Sequence, residues 1–259
     1  MSLDAGLTGK RALVTGAGQG VGEAIARELA AAGCAVIVND FHADRAERVA
    51  TTIGSDGGTA TASAFDVTDH AAVAEAIAAT GGVDILVNNA GNGGPDTFGT
   101  IASFVDTTTE DWAPVLAVNL AGVMNCTHAV LPAMVASGWG RVITISSDAG
   151  RTGGARYAAY SAAKAGAAGF SRAIAREVAR HGVTVNVISL GTMRTPMTEP
   201  LWSDPGNEEL KRSVLSSYLV RRPGEPTDVA WAVMSLASPR ASWVTGQTIA
   251  LNGGSAFTL

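Results

Sequence analysis

The sequence contains few of the residues that disulfide frameworks and metal centres require. Its 259 residues include only two cysteines, Cys34 and Cys126, each within an apolar run, and four histidines scattered along the chain. Cysteines in this setting are typical of reduced, buried thiols in a cytosolic protein. None of the histidines has a neighbour pattern typical of zinc ligands. The sequence therefore predicts neither a disulfide nor a metal site.

Charged residues and long apolar runs are scarce as well. Charged residues make up 16% of the chain, and the formal net charge is -5. This composition leaves no basic footprint for nucleic acid or an anionic membrane. The apolar runs are of strand length or are interrupted by glycine and charge, and no basic start precedes an apolar segment at the N-terminus. We therefore predict no transmembrane helix and no signal peptide, and we expect a cytoplasmic protein that acts on a small molecule.

Apolar and small residues, in contrast, are abundant. Apolar residues make up 47% of the chain, and there are 31 glycines. This is enough apolar surface for a sizeable core, and no break in composition divides the chain. We interpret residues 1–259 as one large α/β domain in which helices pack closely on a sheet.

Short apolar runs alternate with segments of helical periodicity throughout the chain. The predicted strands span residues 11–15, 34–39, 59–65, 83–87, 141–146, 183–188 and 247–251. Helical periodicity runs through Ile25, Leu29 and Ala32, over 43–53, 71–79 and 109–136, through Tyr160 and Lys164 to His181, and over 227–237. This alternation predicts a doubly wound parallel sheet of about seven strands, with helices on both faces.

Several local signals refine this prediction. Pro114 and Pro132 lie inside the long helix at 109–136 and should bend it. Thr227 is the predicted cap of the last helix. Residues 148–156 are interpreted as a polar loop, and 192–220, rich in proline, serine and charge, as a movable flap.

A glycine-rich turn follows the first predicted strand. Gly16, Gly20 and Gly22 form the pattern Thr15-Gly16-x-x-x-Gly20-x-Gly22 between that strand and the next helix. Without β-carbons, the chain can turn tightly and bring backbone N–H groups to a pyrophosphate at a helix N-terminus. Such a turn is a weak signal alone, because glycines also close ordinary strand–helix turns. Its position after the first strand favours dinucleotide binding.

Asp40, at the end of the second predicted strand, suggests which dinucleotide. A carboxylate there accepts hydrogen bonds from the adenosine ribose and repels a 2′-phosphate, so it favours NAD over NADP. Gln19, where a basic residue would meet that phosphate, agrees. Two alternatives remain open: Asp40 as a helix cap, and Arg45 and Arg48 as phosphate contacts instead of a solvated helix face.

A phenol and an ammonium group lie four residues apart in Tyr160-x-x-x-Lys164. This spacing places both on one face of a helix, one turn apart. A neighbouring cation favours the phenolate, so we expect Lys164 to lower the Tyr160 pKa and suit it to proton transfer at a substrate oxygen. The spacing also occurs by chance in many helices.

Taken together, these motifs resemble those of the short-chain dehydrogenase/reductase family, in its shorter branch. The resemblance extends over nearly the whole chain and rests on motifs in the family's order: Thr15-Gly16-x-x-x-Gly20-x-Gly22, Asn88-Asn89-Ala90-Gly91, Asn119, Ser147, Tyr160-x-x-x-Lys164, Gly191-x-x-x-Thr195, Gly246-Gln247 and Asn252-Gly253-Gly254. It implies a Rossmann-type fold, a nicotinamide cofactor, alcohol–ketone chemistry and a homotetramer.

The resemblance also implies roles for four residues. Tyr160 is similar to the family's general acid/base. Lys164 is similar to the lysine that lowers the tyrosine pKa and binds the nicotinamide ribose. Ser147 resembles the residue that holds the substrate oxygen. Asn119 resembles the asparagine that anchors a water in a proton relay.

By the same resemblance, a larger set of residues surrounds the cofactor and the substrate. The implied cofactor contacts are Thr15, Gly16, Gln19, Gly20, Val21, Gly22, Asp40, Phe41, Asp66, Val67, Asn89, Ala90, Gly91, Tyr160, Lys164, Thr192, Met193 and Thr195. The expected substrate contacts are Gly93, Ala149, Tyr157, Met197 and Trp202.

Some alternatives stay open at this point. Ser146 competes with Ser147, and the alternative role for Asn119 is to repair a helix kink near Pro114. Leu190 stands where the family usually has proline, which puts the following loop in doubt. The substrate is expected to be alicyclic, steroid-derived or a hydroxyacyl-CoA compound; a 3-oxoacyl reductase of fatty-acid type is the alternative, and Asp40 disfavours it. A nucleotide-binding protein without redox activity and a Rossmann-like methyltransferase are further alternatives.

Overall fold

The apolar runs of the sequence form one parallel sheet. In the computed structural model, which describes residues 5–92 and 102–257, the strand order is β3-β2-β1-β4-β5-β6-β7. The strands are β1 Arg11–Val14, β2 Ala35–Asp40, β3 Thr59–Ala64, β4 Ile85–Asn88, β5 Gly140–Ser147, β6 Val183–Leu190 and β7 Thr248–Leu251. All six pairings are parallel. The doubly wound α/β prediction is confirmed.

Helices cover both faces of this sheet. In the described part of the chain they are α1 Gly20–Ala31, α2 Ala43–Ser55, α3 His70–Ala79, α4 Thr109–Leu116, α5 Gly122–Ser137, α6 Ala149–Thr152, α7 Ala158–Val178, α8 Glu199–Ser203, α9 Glu208–Ser216 and α10 Pro226–Ala237. Buried side chains of α1, α2 and α10 form one core on the sheet, and those of α3, α5 and α7 form the other. The sheet's apolar strands are therefore enclosed on both sides, as continuous apolar runs predict.

The strand order reverses at β1, and this reversal locates the site. β1 pairs with β2 on one side and with β4 on the other. Chains leaving the carboxyl ends of β1 and β4 wind to opposite faces and leave a crevice between them. The glycine-rich turn after β1 and the segment after β4 both lie at this crevice.

The helix predicted over 109–136 contains a wide turn. It consists of α4, a π-helical turn at Ala117–Ala121, and α5. Pro114 and Pro132 lie inside α4 and α5. Pro114 lacks an N–H to donate within the helix, and the wide turn follows it.

The same helix is the one described segment long and apolar enough to cross a bilayer. Residues Thr109–Ser137 have a mean hydropathy of 1.4. In the fold this helix packs on the sheet, with Val123, Cys126, Val130 and Met134 buried in the core. Part of its apolar surface is therefore buried by packing within the domain.

Three local predictions are wrong. The cap of α10 is Glu225 instead of Thr227, because Asp228 accepts the Glu225 N–H at 2.8 Å and Pro226 begins the helix. The predicted polar loop at 148–156 contains α6. β6 continues to Leu190, where the expected end is residue 188, and Leu190 is paired with Ser147 and Leu251.

Candidate active site

The glycine-rich turn has a backbone that only glycine fits. Gly16 and Gly20 adopt left-handed φ angles of 60° and 57°, which cost other residues free energy. A β-carbon at Gly22 would collide with the carbonyl oxygen of Gly16, and one at Gly16 would lie 2.9 Å from the Cα of Ala90. The turn is therefore packed tightly against α1 and the β4 segment, and its N–H groups remain at the start of α1.

Thr15 and Asn89 hold this turn to the end of β4. The buried Thr15 hydroxyl accepts the N–H groups of Asn89 and Ala90, both at 3.0 Å. The Asn89 side chain donates to the carbonyls of Thr15 at 2.9 Å and Gly16 at 3.0 Å. These two side chains serve the scaffold, and Ala90 and Gly91 present small surfaces to the crevice.

Asp40 closes over the same turn. Its carboxylate accepts the Gly18 N–H at 3.0 Å and the His42 N–H at 3.0 Å. The helix-cap alternative is not confirmed, because the N-cap of α2 is His42 and Asp40 is the last residue of β2. Arg48 is occupied by Glu23 at 2.9 Å and the Gly18 carbonyl at 2.5 Å. Arg48 thus stabilises the turn through an ion pair and a backbone contact.

The remaining predicted adenosine contacts border this region. Gln19 is exposed at the N-cap of α1, and Phe41 is 68% exposed beyond β2. Asp66 accepts the Thr68 N–H at 2.8 Å. The Val67 side chain is buried against α5, and its carbonyl accepts the Asn125 side-chain amide of the same helix at 3.0 Å.

Ser147, Tyr160 and Lys164 come together between β5 and α7. Tyr160 is half-buried and Lys164 is buried, with the ammonium nitrogen 5.6 Å from the Tyr160 ring centroid. The Ser147 hydroxyl lies beside the Tyr160 phenol and acts to lower the pKa of that phenol. Ser146 instead donates to the backbone carbonyl of Lys164 at 3.3 Å. The geometry favours Ser147 over Ser146 as the residue facing the phenol.

The direction of the Tyr160 pKa differs from the expectation. Burial raises the pKa of Tyr160, while the Ser147 hydroxyl acts to lower it. Burial lowers the pKa of Lys164 to about 8. The Lys164 ammonium donates to the carbonyl of Ile145 at 3.1 Å. The net direction of the Tyr160 pKa is therefore opposite to the expected lowering, because burial disfavours the phenolate more than the Ser147 hydroxyl favours it.

Asn119 lies in the π-helical turn and is fully buried. Its amide donates to the carbonyl of Val115 at 2.9 Å and to Asn92 at 2.8 Å. The bond to Val115 supplies a donor to a helix carbonyl at the wide turn, as expected if Asn119 repairs a helix kink. Its Oδ1, however, has no hydrogen-bond partner among the residues that the structure describes. A β-carbon at Gly91 would lie 2.8 Å from that oxygen and 3.3 Å from the Lys164 nitrogen, so an unused acceptor lies on the Lys164 side of Gly91.

Tyr218, near the end of the predicted flap at 192–220, holds the loop that follows β6. Tyr218 accepts the Thr192 N–H at 2.8 Å and donates to the Thr192 hydroxyl at 2.9 Å. A β-carbon at Gly191 would lie 3.0 Å from the Tyr218 ring. Met193 forms a bridge with Gly224. With Leu190 in β6, the loop leaves the sheet at Gly191 and is held by Tyr218.

Thr198 organises the next turn of this segment. Its hydroxyl accepts the Thr195 N–H at 2.9 Å and donates to the Met193 carbonyl at 2.6 Å. The Trp202 indole donates to the same hydroxyl at 3.3 Å and is only 7% exposed. The geometry does not support Trp202 as a substrate contact, because its ring anchors the segment. Thr195 itself lies over Gly20, with its methyl 3.6 Å from where a β-carbon would be.

The other predicted substrate contacts differ in exposure. Ala149 is half-buried in α6 and donates its N–H to the Ser147 hydroxyl at 3.2 Å. Tyr157 precedes α7, with its ring centroid 6.1 Å from that of Tyr160. Met197 is 60% exposed. Gly93 lies outside the described residues.

These features fit a dinucleotide cofactor. The glycine cradle and the N–H groups at the start of α1 suit a pyrophosphate, and Asp40 suits an unphosphorylated ribose. The unpartnered oxygen of Asn119 and the Lys164 ammonium are polar groups facing the crevice beside Tyr160. What the arrangement offers chemically is a phenol, a hydroxyl donor and a buried cation close together between β5 and α7.

Comparisons with known proteins agree with this geometry. The short chain dehydrogenase family model matches residues 10–206. The 3-oxoacyl-[acyl-carrier-protein] reductase FabG of Vibrio cholerae is 39% identical over 252 residues, which covers 96% of this chain and 98% of that protein. The corresponding reductase of Synechocystis sp. is 40% identical over 254 residues, covering 96% and 97%.

Solved structures extend the likeness over the full length. A provisionally assigned gluconate dehydrogenase from Agrobacterium tumefaciens has a TM-score of 0.92 at 31% identity, covering 100% of both chains. A provisionally assigned 2-deoxy-d-gluconate 3-dehydrogenase from the same organism, with bound NADP, has a TM-score of 0.87 at 36% identity, covering 97% of this chain and 98% of that one. The chain belongs to the short-chain dehydrogenase/reductase family.

Proposed function

We propose that this oxidoreductase interconverts a secondary alcohol and a ketone, with NAD as cofactor and Tyr160 as general acid/base. The observation that carries the proposal is the clustering of the Ser147 hydroxyl, the Tyr160 phenol and the buried Lys164 ammonium, whose nitrogen lies 5.6 Å from the centroid of the Tyr160 ring. A methyltransferase or a redox-inactive nucleotide-binding protein would have no need of this arrangement. The four predicted catalytic side chains are all present, and Asn119 reaches the group through the unpartnered oxygen near Lys164.

The chain's own residues would manage the proton and the substrate oxygen. Bound NAD would supply the hydride acceptor, or in its reduced form the donor, at the substrate carbon. Ser147 and Tyr160 would hold the substrate oxygen, on which negative charge develops during transfer. Tyr160 would take or return the oxygen's proton. Lys164 would hold the ribose and Asn119 a water that reloads the proton.

Asp40 supports NAD as the preferred cofactor. Its carboxylate lies at the end of β2 against the Gly18 backbone, where a 2′-phosphate would meet like charge. Arg48 offers no strong counterweight, because it is already paired with Glu23. The relative with bound NADP argues the other way, so the two cofactors must be compared directly.

Two substrate classes are proposed. The first is the alicyclic, steroid-derived or hydroxyacyl-CoA alcohol expected from the sequence. The second is a 3-oxoacyl thioester, which the reductases of Vibrio cholerae and Synechocystis favour by their similarity. Sugar acids belong in the same screen because of the two Agrobacterium structures.

The test is a comparison of Tyr160→Phe with Tyr157→Phe. Reduced-nicotinamide absorbance is followed while alcohols, 3-oxoacyl thioesters and sugar acids are screened with both cofactors. Tyr160→Phe removes the proton-transfer group and should lower turnover by about 10²- to 10⁴-fold without abolishing NAD binding. Tyr157→Phe, which removes the neighbouring phenol, should keep most activity. Full activity in Tyr160→Phe would refute the mechanism.

Assembly, location and motion complete the proposal. We propose a cytoplasmic homotetramer in which residues 192–220 form a flap over the substrate. The flap's first residues support this, because Thr195 lies over Gly20.

A further inference from the structure

Asp148 follows Ser147 directly. It takes part in more hydrogen bonds than Ser147 or Ala149 on either side of it. Its backbone N–H donates to the Leu190 carbonyl at 2.9 Å, one residue beyond the Ser147–Leu190 pair of β5 and β6. Its backbone carbonyl accepts the N–H groups of Arg151 at 2.9 Å and Thr152 at 2.8 Å. Asp148 thus ends β5 and begins α6.

The Asp148 carboxylate joins three separate segments. One oxygen accepts the Ser189 hydroxyl at 2.8 Å and the Arg151 guanidinium at 3.1 Å. The other accepts the Asn252 amide at 2.6 Å and the Ser255 hydroxyl at 3.1 Å. The side chain is only 15% exposed. An ionised carboxylate with this many donors is an effective clamp, because charge-assisted hydrogen bonds are stronger than neutral ones.

This clamp lies between two parts of the proposed active site. The Ser147 hydroxyl accepts the N–H of Ala149, so the residues on both sides of Asp148 form the turn that aims Ser147. Asn252 packs on the loop after β6, since a β-carbon at Gly191 would lie 3.2 Å from its Cα. Gly191 leads directly into the loop whose first residue, Thr192, is held by Tyr218.

The clamp also reaches the buried lysine. A β-carbon at Gly150 would lie 2.8 Å from the Lys164 Cβ, so α6 packs directly on α7 at that residue. Movement at the start of α6 would therefore disturb both Ser147 and the packing around Lys164.

We propose that Asp148 is a positioning residue for this reaction. Its carboxylate ties Ser147 and the start of the 191–195 loop to the turn after β7, so that the hydroxyl holding the substrate oxygen and the loop facing the cofactor keep one spacing. The role in catalysis rests on the proposed function, whereas the coupling between Asp148 and Ser147 belongs to the fold.

The coupling can be measured without a substrate. The chain has only three tyrosines, so ¹³C-tyrosine NMR resolves each phenol, assigned by Tyr→Phe variants. Ser147→Ala should shift Tyr160 ionisation to higher pH, because the serine hydroxyl favours the phenolate. Asp148→Asn should shift the ionisation of Tyr160 in the same direction. The readout is a smaller phenolate fraction at one pH, chosen so that circular dichroism shows every variant to be folded.

Two further variants separate positioning from general damage. Asp56→Asn removes a surface carboxylate paired with Arg27 at 3.0 Å and should leave Tyr160 unchanged. Combining Asp148→Asn with Asn252→Asp exchanges the donor and the acceptor of the hydrogen bond between these two side chains, which is 2.6 Å long in the wild type. The double variant should therefore recover part of the wild-type ionisation behaviour of Tyr160. A Tyr160 titration unaltered in Asp148→Asn, or equally altered in Asp56→Asn, would overturn the proposal.

Turnover then separates this proposal from the proposed function. In an active wild-type enzyme, Asp148→Asn should lower kcat by about 10- to 100-fold, with the Kd for NAD within about threefold of wild type. An unchanged kcat would overturn the positioning role. A wild type inactive throughout the screen would refute the proposed function and with it any role of Asp148 in turnover, while the coupling to Ser147 would still be judged by the titration.

Discussion

Lys164 is an ammonium group held where only 5% of the residue is exposed. Burial lowers its pKa to about 8 from 10.5. Between these two values the unfolded chain binds the proton more tightly than the folded one, so stability attributable to Lys164 rises with pH across that window. The cost of burying the charge, on the order of 3 kcal/mol, is fully present below pH 8 and is relieved above about pH 10.5.

Lys164→Met should therefore stabilise the fold at neutral pH. We expect a gain of about 1–2 kcal/mol at pH 7, after the loss of the hydrogen bond to the Ile145 carbonyl is included. The gain should shrink as pH rises from 8 to 10.5. Urea unfolding at a series of pH values measures it, with Lys211→Met, at a surface ion pair with Glu208, as control. A pH-independent loss of stability in Lys164→Met would contradict the argument.

We propose that the single carboxylate of Asp40 sets the preference for NAD. Asp40→Asn keeps the size of the side chain and removes the charge that would repel a 2′-phosphate. We expect the ratio of kcat/KM for NADP to that for NAD to rise by roughly tenfold, about 1.4 kcal/mol. The matched control is Asp44→Asn, an exposed carboxylate in the first turn of α2. Steady-state kinetics with both cofactors gives the ratio, and an unchanged value would show that Asp40 serves only the turn.

The flap is an element whose two ends are tied by one phenol. Tyr218 both accepts from and donates to Thr192, across 26 residues. Its ring also lies against Gly191 and Gly253. The segment therefore begins and ends on the same side chain, with α8 and α9 between.

Tyr218→Phe should loosen this element while leaving the core intact. The Thr192 N–H loses its acceptor, which costs about 1–3 kcal/mol locally. Hydrogen exchange at residues 192–195 should accelerate, and the Kd for NAD should rise by about 3- to 10-fold. Ser217→Ala is the control, because its hydroxyl bonds only to the Val214 carbonyl at the end of α9. Exchange at 192–195 that matches wild type would argue against the tie.

At the scale of the whole molecule, large apolar side chains are exposed on the long helix and on the last helix, where we propose that subunits join. Leu116 and Met124, on the long helix, are 37% and 44% exposed, and Trp231, on the last helix, is 63% exposed. Small residues of α7, namely Ala162, Ala163, Gly166 and Ala167, would permit close packing between subunits, but two of them, Ala163 and Ala167, lie inside the fold. Both are buried in the chain's own core, so α7 can contribute to an interface only through its other faces.

A tetramer should elute with a mass about four times the 26.2 kDa of one chain. Trp231→Asp places a charge on the exposed face of α10 and should shift the population to smaller species, because a buried unpaired charge destabilises an interface. Leu210→Asp, on exposed α9 in the flap, should leave the mass unchanged. Light scattering coupled to gel filtration distinguishes these results, and a monomeric wild type would refute the tetramer.

Much of this molecule followed from local sequence patterns. Apolar runs of strand length, glycines between strand and helix, and the Tyr160-x-x-x-Lys164 spacing depend on near neighbours in the chain, so the sequence alone determined the parallel sheet, the glycine-rich turn and the family. The family motifs also picked Ser147, because their spacing along the chain is read directly.

Tertiary structure decided the rest. The Tyr218–Thr192 tie and the Asp148–Asn252 contact join residues 26 and 104 positions apart, and no local pattern marks such pairs. Trp202 is buried because the segment around it folds back so that its indole donates to the Thr198 hydroxyl. The local sequence does not determine that fold. The direction of the Tyr160 pKa depended on how much water the packed chain leaves around the phenol. Spacing along a helix determines which side chains are neighbours, whereas their charge states and contacts depend on burial, and burial exists only once distant segments have packed together.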